Sequence, residues 1–227
     1  AIVTGDAETG FIITNTHTPE TTKVEGTKTW DDADNQDGKR GDSITVRLLA
    51  DGKETESKTV TEADGWKYSF TDLPKYADGK EIVYTVTEDS VPDYTTKITG
   101  YKITNSYTPG KTSISVTKAW DDNDNQDGLR AKTIKVQLYA DGEKQGDEVT
   151  LTEAGGWTYT WTDLDAKKAG KDIVYTVKEV GATDGYTAIV TGDAETGFII
   201  TNTHTPETTK VEGTKTWNDS DNQDGKR

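Results

Sequence analysis

The segment from Lys111 to Asp121, KTSISVTKAWD, alternates along its length. In an extended chain, Ile114, Val116, Lys118 and Trp120 point to one side, and Ser115, Thr117 and Ala119 to the other. The same alternation groups Val24, Gly26, Lys28 and Trp30. In IVYTVTE, Ile82, Tyr84, Val86 and Glu88 share a face, with Thr85 and Thr87 opposite; Ile173, Tyr175, Val177 and Glu179 repeat it. A third run groups Tyr101, Ile103, Asn105 and Tyr107, and its counterpart groups Phe198, Ile200, Asn202 and His204. Two-residue periods rich in Val, Ile, Thr, Tyr and Trp predict strands. Asp-Gly pairs at 37–38, 51–52, 78–79, 127–128 and 141–142 predict turns, because glycine accepts a positive φ without steric cost. No stretch carries a convincing helical period, so the expected class is all-β.

The pattern repeats on two scales. Residues 1–40 recur as 188–227, with Asp31 replaced by Asn218 and Ala33 by Ser220. Within that long period, KTWDDADNQDGKR from Lys28 matches KAWDDNDNQDGLR from Lys118. VRLLADG, GWKYSFTDL, IVYTVTE and ITNSYTP likewise have later copies in VQLYADG, GWTYTWTDL, IVYTVKE and ITNTHTP. Two homologous units are therefore expected, at 23–109 and 110–206. Residues 1–22 read as the last-strand tail of a preceding repeat, and 207–227 as the first-strand head of a following one. A unit of about 90 residues with around seven strands has the size of an immunoglobulin-like sandwich.

Composition narrows the function. The 227 residues hold 26 Lys and Arg against 41 Asp and Glu, a net charge of −15. Nucleic-acid binding needs clustered positive charge, so it is excluded as a class. An anionic membrane surface is disfavoured for the same reason. No apolar run approaches the roughly 20 residues of a membrane-spanning helix. With no cysteine and no methionine, disulfides, thiolate metal sites and cysteine nucleophiles drop out, and the chain reads as an excised piece of something longer. No cofactor is called for.

Each unit sets one Lys, one Glu and one Asn on the apolar faces of three different strands. Burying such groups is costly unless they meet partners. A buried lysine tends to lose its proton and a buried carboxyl tends to keep its own. A neutral lysine amine is a nucleophile. A protonated Glu can hydrogen-bond an Asn carboxamide oxygen and make its carbon more electrophilic. Attack with loss of ammonia would leave a Lys–Asn amide, with Glu moving the protons. The bland alternative puts these residues at strand ends near the rim, where Lys snorkels and Glu stays wet. Alternation alone leaves both readings open; recurrence of three complementary residues in two units favours the reactive one.

Lys in VTKAW, Glu in YTVKE and Asn in ITNT resemble the B-type repeat domains of the collagen adhesin of Gram-positive cocci (Cna B type). DDNDNQDGLR, the GWxYx(F/W) strand and DLPKY are also similar to that family. The resemblance covers essentially the whole chain. It implies tandem inverse immunoglobulin-like sandwiches with spontaneous isopeptide bonds, Lys28 to Asn105 assisted by Glu88, and Lys118 to Asn202 assisted by Glu179. Asn15 and Lys215 match crosslink positions but are orphans, each lacking the other members of its own unit. The resemblance further implies a stalk in an extracellular, cell-wall surface adhesin, projecting a separate ligand-binding region.

Other candidates weigh less. Aligned on Gly128, the acidic loop offers Asn123, Asn125 and Asp127 to a calcium ion, but Ile134 stands where a bidentate Glu is required. A structural loop, with Arg40 and Arg130 pairing against local carboxylates, is expected, and no metal. Trp30, Trp66, Trp120, Trp157 and Trp161 sit in alternating strands and read as packing residues rather than a carbohydrate platform. His17 and His204 flank Thr-Pro turns and read as linker residues. No constellation for turnover remains once the trio is consumed, so an enzyme is not expected. A stalk repeat partnered by neighbouring repeats of the same chain, and mostly monomeric, is the leading expectation. The alternative is a binding module for a host extracellular-matrix protein.

Overall fold

The computed structural model describes residues 1–227. They form twenty strands and two single-turn 3₁₀ segments, Glu62–Asp64 and Ser220–Asn222. By internal contacts the chain divides into two compact units, Ala1–Lys111 with Asp165–Ile173, and Thr112–Leu164 with Val174–Arg227.

Strands β1 (Ile2–Asp6) and β2 (Gly10–Thr14) make a hairpin of their own. The first repeat follows as β3 (Thr21–Asp31), β4 (Ser43–Ala50), β5 (Lys53–Thr61), β6 (Lys67–Pro74), β7 (Tyr76–Ala77), β8 (Lys80–Glu81), β9 (Tyr84–Glu88), β10 (Thr95–Thr99) and β11 (Lys102–Ser106). One sheet has the order β10-β11-β3-β6 and the other β5-β4-β9; β7 and β8 form a small hairpin. The first and last strands are parallel neighbours, with Ile103 opposite Lys28 and Asn105 opposite Trp30.

The second repeat has β12 (Lys111–Asp121), β13 (Thr133–Ala140), β14 (Glu143–Thr152), β15 (Thr158–Asp165), β16 (Lys167–Lys168), β17 (Lys171–Asp172), β18 (Tyr175–Val180), β19 (Thr187–Asp193) and β20 (Gly197–Thr203). Its sheets are β15-β12-β20-β19 and β14-β13-β18, with β16 and β17 as the small hairpin. Strands β12 and β20 are again parallel, with Lys118 opposite Ile200 and Trp120 opposite Asn202. The fold is all-β, two β-sandwiches of seven principal strands each.

The alternation in the sequence becomes the core. Val24, Phe70 and Ile103 from one sheet meet Val46, Leu48 and Val86 from the other. Packing of two such faces removes both from water and is the main stabilising term of a sandwich. In the second repeat Ile114, Val116, Val136, Leu138, Val177 and Ile200 are the buried counterparts.

The terminal copies behave differently. Phe198 and Ile200 in β20 are 7% and 0% exposed, whereas their copies in β2, Phe11 and Ile13, are 66% and 67% exposed. The hairpin forms because its ladder is local; its inner face has no opposite sheet. The stretch 208–218 repeats the sequence of β3, where a first strand is expected, yet it pairs with no strand. Strand β3 is hydrogen-bonded on both edges, by β11 and β6. Its copy has neither neighbour, and a lone strand has no stabilising ladder.

Gly26 marks a difference in packing between the equivalent positions of the two repeats. A Cβ there would lie 2.2 Å from both the Tyr101 carbonyl oxygen and the Tyr68 ring. Tyr68 fills the space and donates from its hydroxyl to that carbonyl at 2.6 Å. In the second repeat Val116 is fully buried and Tyr159, the counterpart of Tyr68, is turned outward. Gly26→Val should therefore destabilise the first repeat by about 1–3 kcal/mol through overpacking. Urea unfolding of that repeat measures it, and Gly26→Val combined with Tyr68→Thr should recover part of the loss.

Candidate functional site

Three strands deliver three side chains to one place between the sheets. In the first repeat β3 carries Lys28 and its parallel neighbour β11 carries Asn105, two residues beyond the position opposite Lys28. Residues two apart on a strand share a face, so both point inward. Strand β9, from the facing sheet, carries Glu88. Lys28 Nζ donates to Glu88 Oε1 at 2.6 Å, and neither side chain has any exposure. Thr96 Oγ1 donates to Glu88 Oε2 at 2.9 Å. Asn105 is wholly buried, and neither Nδ2 nor Oδ1 has a hydrogen-bond partner. Burial pulls the Lys28 ammonium below the ordinary lysine value, with Glu88 opposing.

The second repeat makes the complementary contact. Asn202 Nδ2 donates to Glu179 Oε1 at 3.0 Å, and Thr183 Oγ1 donates to the same oxygen at 2.9 Å. Glu179 Oε2 and Asn202 Oδ1 are buried without partners. Lys118 Nζ donates instead to the carbonyls of Ala119 at 2.6 Å and Ile200 at 3.3 Å. Burial pulls its pKa down to about 8; Glu179 and Asp122 oppose the shift and Arg130 adds to it. In one repeat the glutamate touches the amine, and in the other it touches the carboxamide. The six residues on which the sequence placed the crosslink thus stand in two buried clusters. Asn15 lies exposed just past β2, and Lys215 lies exposed in the unpaired stretch.

A tryptophan floors each cluster. Lys28 Nζ lies 4.3 Å from the Trp30 ring centroid, and Lys118 Nζ 4.1 Å from that of Trp120. Trp66 and Tyr94 meet Trp30 edge-on at 5.3 and 5.0 Å; Trp157 and Tyr186 do the same to Trp120 at 5.4 and 5.2 Å. Arg40 pairs with Asp32, and Arg130 with Asp122, as expected of the acidic loop. Tyr94 and Tyr186 add their hydroxyls to these carboxylates at 2.8 Å.

Sequence reasoning missed the two tyrosines and the two threonines. The tyrosines carry a faint signal, a Tyr-Thr pair at 94–95 and 186–187. The threonines carry none, since Thr96 lies in β10 and Thr183 in a loop, at positions that do not correspond. His204 also departs from its reading as a linker residue. Its Nε2 faces Asp127 Oδ2 at 3.0 Å and its Nδ1 faces the Gly185 carbonyl at 2.7 Å. Tyr107 holds the corresponding Asp37 in the first repeat.

A profile of the Cna protein B-type domain matches residues 24–106 and 114–203. The chain belongs to the Cna B-type domain family. It is 56% identical over 217 residues to a collagen adhesin of Staphylococcus aureus, an alignment covering 96% of this chain and 18% of that protein. The chain therefore spans less than a fifth of that relative. A single B repeat unit of the collagen binding surface protein of S. aureus is 53% identical, covering 82% of this chain and all of that one at a TM-score of 0.42. A two-repeat structure of the same protein is 51% identical over 90% of this chain and 55% of that one, at a TM-score of 0.46.

In this pair of Cna B-type domains, the His204 imidazole is held between Asp127 and the Gly185 carbonyl. Both of its ring nitrogens face acceptors, which only the doubly protonated ring satisfies. Asp127 first, and the Gly185 carbonyl second, raise its pKa above the ordinary 6.5. The folded value is the higher one, so the contact stabilises the fold fully below the unfolded value and is lost as pH rises through the folded value. In Asp127→Asn the His204 midpoint should fall, as read from a proton NMR titration of the imidazole.

Proposed function

We propose that these Cna B-type domains are stalk repeats of a cell-wall surface adhesin, each closed by a spontaneous isopeptide bond. The bonds join Lys28 to Asn105 with Glu88, and Lys118 to Asn202 with Glu179; the units correspond to 23–109 and 110–206. The observation that carries this reading is the fully buried contact of Lys28 and Glu88 beside a carboxamide with no hydrogen-bond partner. An isolated ion pair in a dry core is a costly way to gain stability, because desolvation offsets its attraction. A reaction that ends in a neutral amide removes both problems.

The chemistry balances within the chain. The neutral lysine Nζ attacks the asparagine Cγ, and the Nζ–Cγ bond forms. The Cγ–Nδ2 bond breaks and ammonia leaves. Glutamate takes the proton from Nζ and passes one to Nδ2, ending as it began. The two repeats display the two contacts this needs, glutamate to amine in the first and glutamate to carboxamide in the second. Burial supports the first requirement by favouring the neutral amine.

The topology supports the stalk. Lys118 is in the first strand of its domain and Asn202 in the last, and the two strands are parallel neighbours. Tension along a tandem array enters a domain at one and leaves at the other, so a bond between them bypasses every strand between. A sandwich held only by noncovalent forces is stable by about 5–15 kcal/mol. Closing a loop of about 85 residues adds roughly 4–5 kcal/mol by the chain-entropy model. The parent's ligand recognition we place outside these repeats.

The intact mass of the denatured chain should fall short of the sequence mass by two ammonia losses. Glu88→Ala should restore one of them and leave the other; a mass equal to the plain sequence sum would rule the crosslinks out. Under single-molecule pulling, wild type should release no length between Lys118 and Asn202, and Lys118→Ala should release it. Equal release from both would show that the load does not pass through the bond.

A further inference from the structure

We propose that Asp122 with Arg130 and Tyr186, and Asp32 with Arg40 and Tyr94, are positioning residues for amide formation, a clasp that sets the lysine on its tryptophan before the domain closes. The proposal rests on the crosslinking reading above and adds to it residues that touch neither reacting atom.

Asp122 has a side chain 1% exposed, a position a carboxylate tolerates only when fully paired. Three of the four hydrogen bonds its carboxylate accepts lead to Trp120. Arg130 binds it with two nitrogens, Nη2 to Oδ1 at 2.6 Å and Nε to Oδ2 at 2.9 Å. That geometry fixes the guanidinium plane, and the guanidinium lies over the Trp120 ring, 5.7 Å from its centroid. Tyr186 donates to Oδ2 and meets the same ring edge-on. The Asn125 amide donates to Oδ1 at 2.9 Å and closes the loop. The first domain repeats each contact, with Arg40 at 2.7 and 3.1 Å and the Asn35 amide at 3.0 Å.

A third copy, without the tyrosine, shows that the aspartate–arginine part of the clasp is local. In 215–227, where no strand pairs, Arg227 still binds Asp219 through Nε and Nη2. Arg227 lies 5.6 Å from the Trp217 ring centroid and Lys215 Nζ lies 4.4 Å from it. The arrangement of lysine, tryptophan, aspartate and arginine thus exists without sheet, core, glutamate or asparagine. Its residues are close in sequence, so little loop entropy opposes it.

Two consequences follow for the amine. The tryptophan wall keeps water away, and a guanidinium over the same ring disfavours a second positive charge there. The charged and titratable groups around Lys118 are Glu179 from β18, Asp122 and Arg130 from the loop after β12, and the Tyr186 hydroxyl held by Asp122. Burial first, and Arg130 as the cation among them, favour the neutral, nucleophilic amine, while Glu179 and then Asp122 pull the other way.

The test follows ammonia loss with time. Full-length chain is made by cell-free synthesis, quenched in acid at intervals and weighed intact, at a series of pH values. Wild type should show two losses; if it shows none, the crosslinking reading itself fails. Asp122→Asn should slow the second loss about tenfold or more, since small misplacements of a reacting group cost at least that. The first loss, from Lys28 and Asn105, should keep its rate. Arg130→Gln should shift the rising limb of the rate–pH profile of the second loss to higher pH, and Arg130→Lys should leave it near the wild-type position. Loss at the wild-type rate in Asp122→Asn would overturn the proposal. So would slowing in Arg130→Gln without movement of the pH limb, since that is what a merely structural role predicts.

Discussion

The charge on a lysine facing the core of a β-sandwich is the constraint on which the rest of each domain depends. Lys28 and Lys118 are each 3% exposed, on the inner face of a first strand. An ammonium cannot stay there without partners. One sheet supplies an asparagine on the parallel neighbour, the facing sheet supplies a glutamate, and the lysine's own strand supplies a tryptophan two residues on. The parallel pairing of first and last strands is thus the structural condition for the site. It brings Lys and Asn to adjacent strands although some 80 residues separate them in sequence.

The two domains satisfy this constraint in different ways. In the first, the glutamate pairs with the amine, and the carboxamide is left without hydrogen bonds. In the second, the glutamate pairs with the carboxamide, and the amine turns to backbone carbonyls. Under the crosslinking proposed above, such a glutamate would carry the proton from amine to carboxamide. The threonine hydroxyls that hold each carboxylate come from unrelated positions, so the support of the glutamate has been solved twice. The clasp of aspartate, arginine and tyrosine behind the tryptophan is the same in both.

Local and distant encoding divide along this line. The aspartate–arginine half of the clasp is written within thirteen residues and assembles even where no sheet surrounds it, as Trp217, Asp219 and Arg227 show, whereas its tyrosine arrives from more than 60 residues away. The β1–β2 hairpin is equally local and keeps its ladder with a bare inner face. The copy of β3 at 208–218 keeps the alternation and still pairs with nothing. Alternation specifies which face a strand would bury; it does not supply the neighbours that make it a strand.

By itself the sequence determined the repeats, the all-β class, the inner face of each strand and the identity of the three polar residues on those faces. Side-chain period and repetition are properties of the chain alone, so they are legible without coordinates. Only the tertiary structure decided that the first and last strands run parallel, that the glutamate arrives from the opposite sheet, and which partner it chooses. It alone decided that Thr96 and Thr183 hold the carboxylates, that Tyr94 and Tyr186 seat the tryptophans, and that His204 is fastened to Asp127 and Gly185. These are contacts between residues distant in sequence or out of register between repeats. No period in the chain records which of several inward-facing groups will meet across a core about 10 Å thick.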